Sequence, residues 1–299
     1  MGAKVGATAA SRDRRLPPVD GEADVRFRGL LGVHGFDPEE QFGGRYVEWE
    51  WQHSRYLFES LPTRLDGSSA LELGCHLGAT AIVLALLGAD VTAVDVDPIC
   101  VRLAQANAAR YGAARRVRFV HAAQGAPLPA PSRSFDLVVC NSVLEYVRPA
   151  ALPLLLSDID RVLRPGGLVV VFGTSNRLWP RERHSGQWLS NYVPRAADRL
   201  WPKWRLRRGI SAWQVTAALP GYRDLLLDLP SLLLQARRQM SPRVAPVCLL
   251  DLAARVLRPL GISIGMLFPT LTLLLRKPQP LVSRIGGTAT TTAPRSTQA

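Results

Sequence analysis

The chain has 299 residues, 47% of them hydrophobic, so it can bury a sizeable core in one large domain or two small ones. Its formal net charge of +13 fits a nucleic-acid or anionic-membrane partner, or simply an arginine-rich composition. We favour composition, because no run of basic residues interleaved with aromatic residues covers a whole domain.

Cysteine usage and hydropathy indicate a cytoplasmic protein without a metal centre. The four cysteines are Cys75, Cys100, Cys140 and Cys248. They form no CxxC pair and have no histidine at zinc-ligand spacing, so we expect buried thiols and no metal. The N-terminus lacks the apolar core of a signal peptide. The apolar stretch 259–275 is broken by Pro269, and it predicts a loop and a strand instead of a membrane span.

The two ends of the chain differ in pattern from its centre. Residues 1–28 are rich in Ala, Gly, Arg and Pro without a period, and they are predicted to be disordered, as is the tail 278–299. Residues 29–65 are predicted to form a helical cap, because Tyr46, Trp49 and Tyr56 recur at helical spacing and create an aromatic face.

From residue 70, segments of strand length alternate with segments of helical periodicity, which predicts an α/β fold with a seven-stranded, mostly parallel sheet. The predicted strands are ALEL, DVTAVDV, VRFVHA, FDLVVCNSVL, LVVVFGT, YRDLLLD and TLTLLLR. One helix is predicted to begin at Pro98, and another to end before the glycines of RPGG. Two long segments, 173–209 and 229–259, interrupt the alternation after strands five and six. We expect helical insertions there that form a substrate lid.

The stretch LELGCHLGAT, residues 71–80, predicts a ligand-binding loop after the first strand, because open parallel sheets bind ligands at the carboxyl ends of their strands. Gly74 permits a tight turn, and Gly78 permits close approach of the next helix. Glu72 suits a cationic ligand, and the missing G-x-G-x-x-G motif argues against a nicotinamide dinucleotide. Asp95, at the end of the second strand, can accept hydrogen bonds from ribose hydroxyls. The predicted ligand is therefore a nucleoside with a positively charged amino-acid end.

Four motifs in order, E-x-G-x-x-x-G, VDVDP, FDLVVCNSVLEYV and RVLRPGGLVVV, resemble those of the class I S-adenosylmethionine-dependent methyltransferases. The resemblance is strongest to the small-molecule branch that includes the ubiquinone- and menaquinone-biosynthesis methyltransferases, and it covers roughly residues 66–228 and 260–277. It implies a Rossmann-like fold with helices on both faces of the sheet. It also implies S-adenosylmethionine as cofactor, and a cofactor-binding core at 66–172 within a methyltransferase domain spanning 29–277.

The resemblance also implies roles for individual residues. The implied cofactor-binding residues are Glu72, Gly74, Cys75, His76 and Gly78 in the loop, Asp95 at the ribose, Val96 at the adenine, Gln124, and Asn141 with Ser142 near the amino acid or methyl group. Two positions depart from the family pattern. His76 stands where glycine is usual, and Ala123–Gln124 stand where the family usually has an aspartate that contacts the adenine amino group. The side-chain carbonyl of Gln124 could supply that acceptor.

A catalytic base for a hydroxyl acceptor is predicted at His184, after the fifth strand, although His184 could instead make a structural hydrogen bond within the insertion. The aromatic residues nearby suit either an apolar substrate pocket or the core of the insertion. The predicted reaction is therefore O- or C-methylation of a small apolar or aromatic acceptor.

Three alternatives remain at this point. An RNA methyltransferase is suggested by WPKWRLRR at 201–208, but no N-P-P-Y-type tetrapeptide follows the fourth strand, and no DNA partner is expected. A non-catalytic cofactor-binding relative is suggested by His76 and Ala123. Peripheral contact with the inner face of the membrane is suggested by the leucine-rich LLLDLPSLLLQARRQM with its basic end.

Overall fold

A computed structural model describes residues 15–199, 206–240 and 247–279 of the chain. The α-helices are α1 (Gly21–Val33), α2 (Tyr46–Glu59), α3 (Ala79–Leu86), α4 (Pro98–Arg110), α5 (Leu152–Val162), α6 (Ala212–Ala217), α7 (Pro230–Met240) and α8 (Val247–Leu257). The β-strands are β1 (Ser69–Leu73), β2 (Asp90–Asp95), β3 (Val117–His121), β4 (Phe135–Asn141), β5 (Leu163–Ser175), β6 (Arg223–Asp224) and β7 (Thr270–Arg276). The seven strands and the α/β order confirm the fold class predicted from the sequence.

All seven strands form one sheet in the order β3-β2-β1-β4-β5-β7-β6. Strands β1 to β5 pair in parallel, whereas β7 runs antiparallel to both β5 and β6. The strand order reverses at β1, which lies between β2 and β4, with Leu73 level with both Val94 and Cys140. The carboxyl ends of these three strands therefore meet at the switch point where such sheets bind ligands.

Both faces of the sheet are buried. Val139 packs in one apolar cluster with α2, α3, α4 and α7, whereas its neighbours Val138 and Cys140 pack in a second cluster with α5 and α6. Alternate residues of a strand point to opposite faces, so a strand covered on both sides reads as a continuous apolar run. This explains why the central strands were recognisable in the sequence.

The N-terminal segment differs from the prediction that residues 1–28 are disordered. Helix α1 begins after Asp20, whose side chain accepts a hydrogen bond from Ala23 N at 2.8 Å. Phe27 and Leu31 are fully buried, and α1 packs against α4. The prediction is therefore wrong for residues 21–28, because the apolar face of this short helix becomes recognisable only opposite its partner. Residues 1–14 lie outside the described part of the chain, as do residues 280–299 of the predicted tail.

The cap and the insertions contain less regular structure than the sequence suggested. Of residues 29–65, α2 forms only 46–59. The described part of 173–209 contains two short 3-10 helices, Ser190–Tyr192 and Arg195–Arg199, and Trp201 and Trp204 lie outside the described residues. The second insertion is helical, since it contains α7 and α8. None of the helices in the described segments is long and apolar enough to cross a bilayer.

Two strands have different bounds from those predicted. β6 is only two residues long, because the Asp224 side chain accepts a hydrogen bond from Leu226 N at 3.0 Å and begins a 3-10 helix at Leu225–Leu227. β5 begins at Leu163 and takes in the RPGG stretch, so α5 ends before the predicted glycine boundary.

Candidate functional site

The loop between β1 and α3 contains three residues with left-handed backbone, namely Gly74 (φ 67°), His76 (φ 48°) and Gly78 (φ 77°). A Cβ atom on Gly74 would lie 2.5 Å from Val143 Cγ2, and one on Gly78 would lie 2.9 Å from the Phe119 ring. Both glycines are therefore required for close packing as well as for backbone conformation. His76 adopts a conformation that glycine reaches more easily, so the loop keeps its path where the sequence departs from the family pattern.

Hydrogen bonds tie this loop to the end of β2. Gly74 N and Cys75 N donate to Val94 O at 2.8 and 3.1 Å, and His76 N donates to Asp95 Oδ2 at 2.7 Å. Asp97 N donates to Asp95 Oδ1 at 2.9 Å. A carboxylate has about four acceptor positions, so Asp95 retains capacity for ligand hydroxyls. Val96, the next residue, is 58% exposed and offers an apolar surface beside it.

The ring of His76 contacts the aromatic side of the cap. Its centroid lies 5.7 Å from that of Phe36 and 6.3 Å from that of Tyr46, both in edge orientation. Burial lowers the pKa of His76, so the ring is favoured in its neutral form and adds no positive charge to the site. Among the residues that the structure describes, no group of three or more His, Cys, Asp or Glu side chains could hold a metal ion.

A buried polar network joins α2, β1, α3 and β4. Asn141 Nδ2 donates to Glu50 Oε1 at 2.8 Å and to Thr80 Oγ1 at 3.0 Å. Thr80 and the backbone of Ala81 in turn hydrogen-bond with Glu72. Glu50 is 0% exposed and Glu72 is 2% exposed. The structure therefore brings two acidic residues into one network with the predicted cofactor residue Asn141.

The network contains an unsatisfied acceptor. Glu72 Oε2 is buried and has no hydrogen-bond partner. Burial raises the pKa of Glu72 well above its usual range, and the charge of Glu50 raises it further. Burial also raises the pKa of Glu50. A cationic ligand group at this position would stabilise the ionised carboxylates and use the free oxygen. The residues present thus fit the amino-acid end of S-adenosylmethionine.

The remaining predicted cofactor residues lie close to this edge of the sheet. Cys75 is buried in the loop, and burial raises the pKa of its thiol, so it contributes an apolar wall. β3 ends at His121, which lies level with Asp95 in the sheet. Gln124 follows three residues later in an exposed turn, closed by a 3.0 Å bond from Ala126 N to Ala123 O.

A second polar cluster lies directly after β4. His184 Nε2 is 2.9 Å from Glu145 Oε1 and 3.3 Å from Ser142 Oγ. The same Glu145 oxygen accepts a hydrogen bond from Ser175 N at 3.0 Å, at the end of β5. The Glu145 side chain is 5% exposed and that of His184 is 25% exposed. The imidazole therefore contacts solvent while its Nε2 atom is held by a buried carboxylate.

The backbone around His184 is organised by a third acid. Glu182 Oε2 accepts hydrogen bonds from His184 N at 3.0 Å, Ser185 N at 2.5 Å and Ser185 Oγ at 2.7 Å. Burial opposes ionisation of Glu182, but the bonds from Ser185, Ser175 and His184 lower its pKa to about 2. This turn positions His184, the residue predicted from the sequence to be the base.

Consecutive residues connect the two clusters, since Asn141 belongs to the acidic network and Ser142 contacts His184. Gly173 on β5 permits this arrangement, because a Cβ atom there would lie 2.3 Å from Asn141 Oδ1. Sequence reasoning missed Glu50, Glu145 and Glu182. Glu50 had a recognisable signal, an acid on the helix face that also carries Val47 and Trp51. The role of Glu145 depends on a contact 39 residues away in the chain, and Glu182 acts through a local turn around His184.

Part of this chain is similar to known proteins. Residues 70–167 match the family described as methyltransferase domain. A ubiquinone biosynthesis O-methyltransferase of Schizosaccharomyces pombe is 32% identical over 149 residues, covering 44% of this chain and 53% of the relative. A tRNA N(3)-cytidine methyltransferase of Gallus gallus, METTL2, is 28% identical over 126 residues, covering 40% of this chain and 34% of the relative. The matched segments thus span about half or less of these relatives' own length.

A solved structure of an S-adenosylmethionine-dependent methyltransferase from Mesorhizobium loti aligns with 76% of this chain and 97% of its own, at 18% identity and a TM-score of 0.46.

Proposed function

We propose that this chain, whose residues 70–167 match the methyltransferase domain family, transfers a methyl group from S-adenosylmethionine to an oxygen or carbon atom of a small apolar or aromatic acceptor. The observation that carries the proposal is the junction of two clusters at the end of β4. Asn141 lies in a buried acidic network suited to the cationic cofactor, and Ser142 contacts the Glu145–His184 pair. Cofactor binding and proton transfer would thus occur side by side.

In this proposal the residues of β1, β2 and the loop between β1 and α3 bind the cofactor, which when bound supplies a methyl group activated by its sulfonium sulfur. Glu72 and Asn141 hold the amino-acid end. Asp95 accepts hydrogen bonds from the ribose hydroxyls, and Val96 packs against the adenine. Gln124, in the turn after β3, supplies the acceptor for the adenine amino group in place of the usual aspartate.

His184 acts as the base for an acceptor hydroxyl. In the tautomer in which Nε2–H donates to Glu145, the lone pair of the ring lies on Nδ1. The acceptor's proton then moves to Nδ1, and the Glu145 carboxylate stabilises the resulting imidazolium. Glu145 and Glu182 are positioning residues, because they contact the ring and the backbone of His184. In this proposal the described residues of the insertions at 173–209 and 229–259 contribute to a lid over the acceptor.

The proposal is tested first by calorimetric titration of the chain with S-adenosylmethionine and S-adenosylhomocysteine. Transfer of a labelled methyl group to a panel of small phenols and lipophilic hydroxyl compounds follows. We expect His184→Ala to lower turnover about 10²- to 10⁴-fold with unchanged cofactor affinity. Absence of binding by both ligands would contradict the proposal. Full activity of His184→Ala would leave the histidine structural and indicate an acceptor that needs no base.

An RNA acceptor is the second candidate, favoured by the similarity to a tRNA methyltransferase and by the net charge of +13. Phosphate contacts would make RNA binding weaken steeply with salt, at a slope of roughly 0.7 per phosphate on single strands. Fluorescence anisotropy with structured and single-stranded RNA at several salt concentrations distinguishes the two. Tight RNA binding that weakens steeply with salt would indicate that the acceptor is RNA and not a small molecule.

The leucine-rich segment 225–240, which the sequence suggested for membrane contact, has its leucines largely buried, with Leu232, Leu233 and Leu234 at most 8% exposed. We therefore propose peripheral membrane contact through α8 instead. Its exposed apolar side chains recur every three or four residues through the following turn, namely Leu249 at 60%, Leu252 at 58%, Val256 at 64% and Leu260 at 69%. Arg255 and Arg258 lie beside this ridge but pair with Asp251 and Asp228, so the proposed contact rests on the apolar ridge and on the net charge of +13. Sedimentation with phosphatidylglycerol vesicles should be lost in Leu252→Ser and Val256→Ser. Sedimentation that persists in both variants would contradict the contact.

A further inference from the structure

Glu50 differs from the other residues of the acidic network because it comes from α2, outside the segment that matches the methyltransferase domain. Its side chain is 0% exposed. It accepts hydrogen bonds from the hydroxyls of Ser54 and Tyr46 and from Asn141 Nδ2. A buried carboxyl group whose partners are all neutral requires either a proton or a positively charged ligand.

Glu72, the second carboxyl group of the network, likewise requires a proton or a positively charged ligand. It is connected to Glu50 through Thr80 and Asn141, and its Oε2 atom is buried without a partner. Within the described segments, every hydrogen-bond partner of the two carboxyl groups is neutral, and no ligand set for a metal ion occurs. An organic cation with N–H donors would supply the missing positive charge and give the free Oε2 atom of Glu72 a partner.

We propose that Glu50 and Glu72 together receive the ammonium group at the amino-acid end of the cofactor, and that a proton is released when this group binds. The inference rests on the proposed function and adds to it a second carboxylate, supplied by the cap. Before binding, the two carboxyl groups hold one proton between them. The ammonium group replaces that proton, which passes to the solvent, and both carboxylates become ionised.

The surroundings of the pair agree with a single transferable proton. Burial raises the pKa of Glu50, and burial followed by the charge of Glu50 raises the pKa of Glu72. Other titratable groups that interact with the pair are Tyr46 on α2, Cys75 in the loop, Asp95 on β2 and Cys140 on β4, and His76 contacts the ring of Tyr46. The pKa of each thiol and of the phenol is raised, and that of His76 is lowered, so none of these groups supplies the positive charge.

Proton release is measured on the unmodified chain by calorimetry at pH 7 in phosphate and in Tris, two buffers with different ionisation enthalpies. We expect about one proton released per bound S-adenosylmethionine. S-adenosylhomocysteine should release the same amount, because it keeps the ammonium group and lacks only the sulfonium charge. 5′-Methylthioadenosine lacks the amino-acid end, and its binding should release no proton.

Two matched variants on α2 separate the ammonium site from the structure of the helix. Glu50→Gln removes the charge at nearly constant shape, and it should weaken S-adenosylmethionine binding about tenfold or more and reduce proton release. Glu48→Gln is the control. Glu48 accepts a hydrogen bond from the Tyr111 hydroxyl at 2.7 Å outside the network, so this variant should keep both properties. Circular dichroism checks that both variants are folded.

The outcomes distinguish this inference from the proposed function. Binding of S-adenosylmethionine without proton release, together with unchanged affinity in Glu50→Gln, would overturn the inference and leave methyl transfer standing. Failure of the unmodified chain to bind S-adenosylmethionine would instead overturn the proposed function. Proton release with S-adenosylmethionine but not with S-adenosylhomocysteine would assign the charge recognition to the sulfonium and contradict the ammonium site.

Discussion

Replacing Glu72 by Gln should weaken cofactor binding and stabilise the ligand-free protein at the same time. The substitution keeps the size of the side chain and an acceptor oxygen for Thr80 and the Ala81 backbone, but it removes the group that ionises. Glu72 is 2% exposed, and its Oε2 atom has no partner. A buried acid of this kind lowers the stability of the ligand-free protein and strengthens binding of the ligand, which is the usual conflict between stability and function.

The two effects can be worked out separately. A buried hydrogen bond to a charged group contributes about 1.5–3 kcal/mol, so the Kd for S-adenosylmethionine should rise about 10- to 150-fold. The folded-state pKa of Glu72 is raised above the usual 4.5, so its contribution to stability is complete below that pH. The contribution is lost as the pH rises through the folded-state pKa, at up to about 1.4 kcal/mol per pH unit. The glutamine of Glu72→Gln does not ionise, so the stability of this variant does not fall with pH for this reason.

Thermal unfolding of both proteins between pH 4.5 and pH 8, without ligand, measures the second effect. The Tm of the variant should match that of the wild type near pH 4.5 and exceed it increasingly at higher pH, by about 2–4 °C for each kcal/mol. Calorimetric titration at pH 7 measures the first effect. A variant that binds S-adenosylmethionine normally and is less stable at every pH would refute the reasoning, because Glu72 would then be a structural acceptor.

Three further predictions concern the ribose site, the base and the loop. Asp95→Ala should weaken cofactor binding by about 2–4 kcal/mol through the loss of two ribose hydrogen bonds, and unchanged affinity by calorimetry would make the assignment wrong. Glu145→Gln should lower turnover with a hydroxyl acceptor and displace the acidic limb of the pH–rate profile, with cofactor Kd unchanged. An unaltered profile would show that the carboxylate does not act through His184. Gly78→Ala should cost about 1–3 kcal/mol in thermal unfolding, because its Cβ atom would lie 2.9 Å from Phe119. Gly67→Ala, with a similar φ of 75° and no atom within 4 Å of its Cβ, should cost clearly less, and equal losses would assign the effect to backbone strain alone.

The sheet could be predicted from the sequence because its strands are buried on both faces and therefore read as apolar runs. Pro98 marked the start of α4 correctly, and the Asp97 side chain caps that helix by accepting a hydrogen bond from Ile99 N at 2.8 Å. Helix α1 was missed because its burial depends on α4, about 80 residues away in the chain. Arg110, 2% exposed, holds it there through Asp24 at 2.7 Å, a pairing that no local pattern contains.

The part of the site that lies at the ends of individual strands could be predicted from the sequence. Glu72 is the penultimate residue of β1 and Asp95 the last residue of the neighbouring β2, and the sequence predicted both positions near the switch point. Their roles toward the cofactor remain predictions. Glu50 and Glu145 were not selected, because each acquires meaning only through contacts with β4 or with the segment after β5. Sequence patterns report periodicity within an element, whereas a polar network is defined by distances between elements.

The backbone strain at the site bears on whether the chain is a catalyst or only binds the cofactor. Left-handed backbone occurs at four non-glycine positions of the described residues, and two of them, His76 (φ 48°) and Ser142 (φ 50°), lie in the candidate site. Each such position costs about 1–3 kcal/mol and persists only because its surroundings hold it in place. At His76 the strain maintains the cofactor loop. Ser142, also in this conformation, has its hydroxyl 3.3 Å from His184 Nε2. The proposed mechanism accounts for both strained positions, whereas cofactor binding alone would account only for the first.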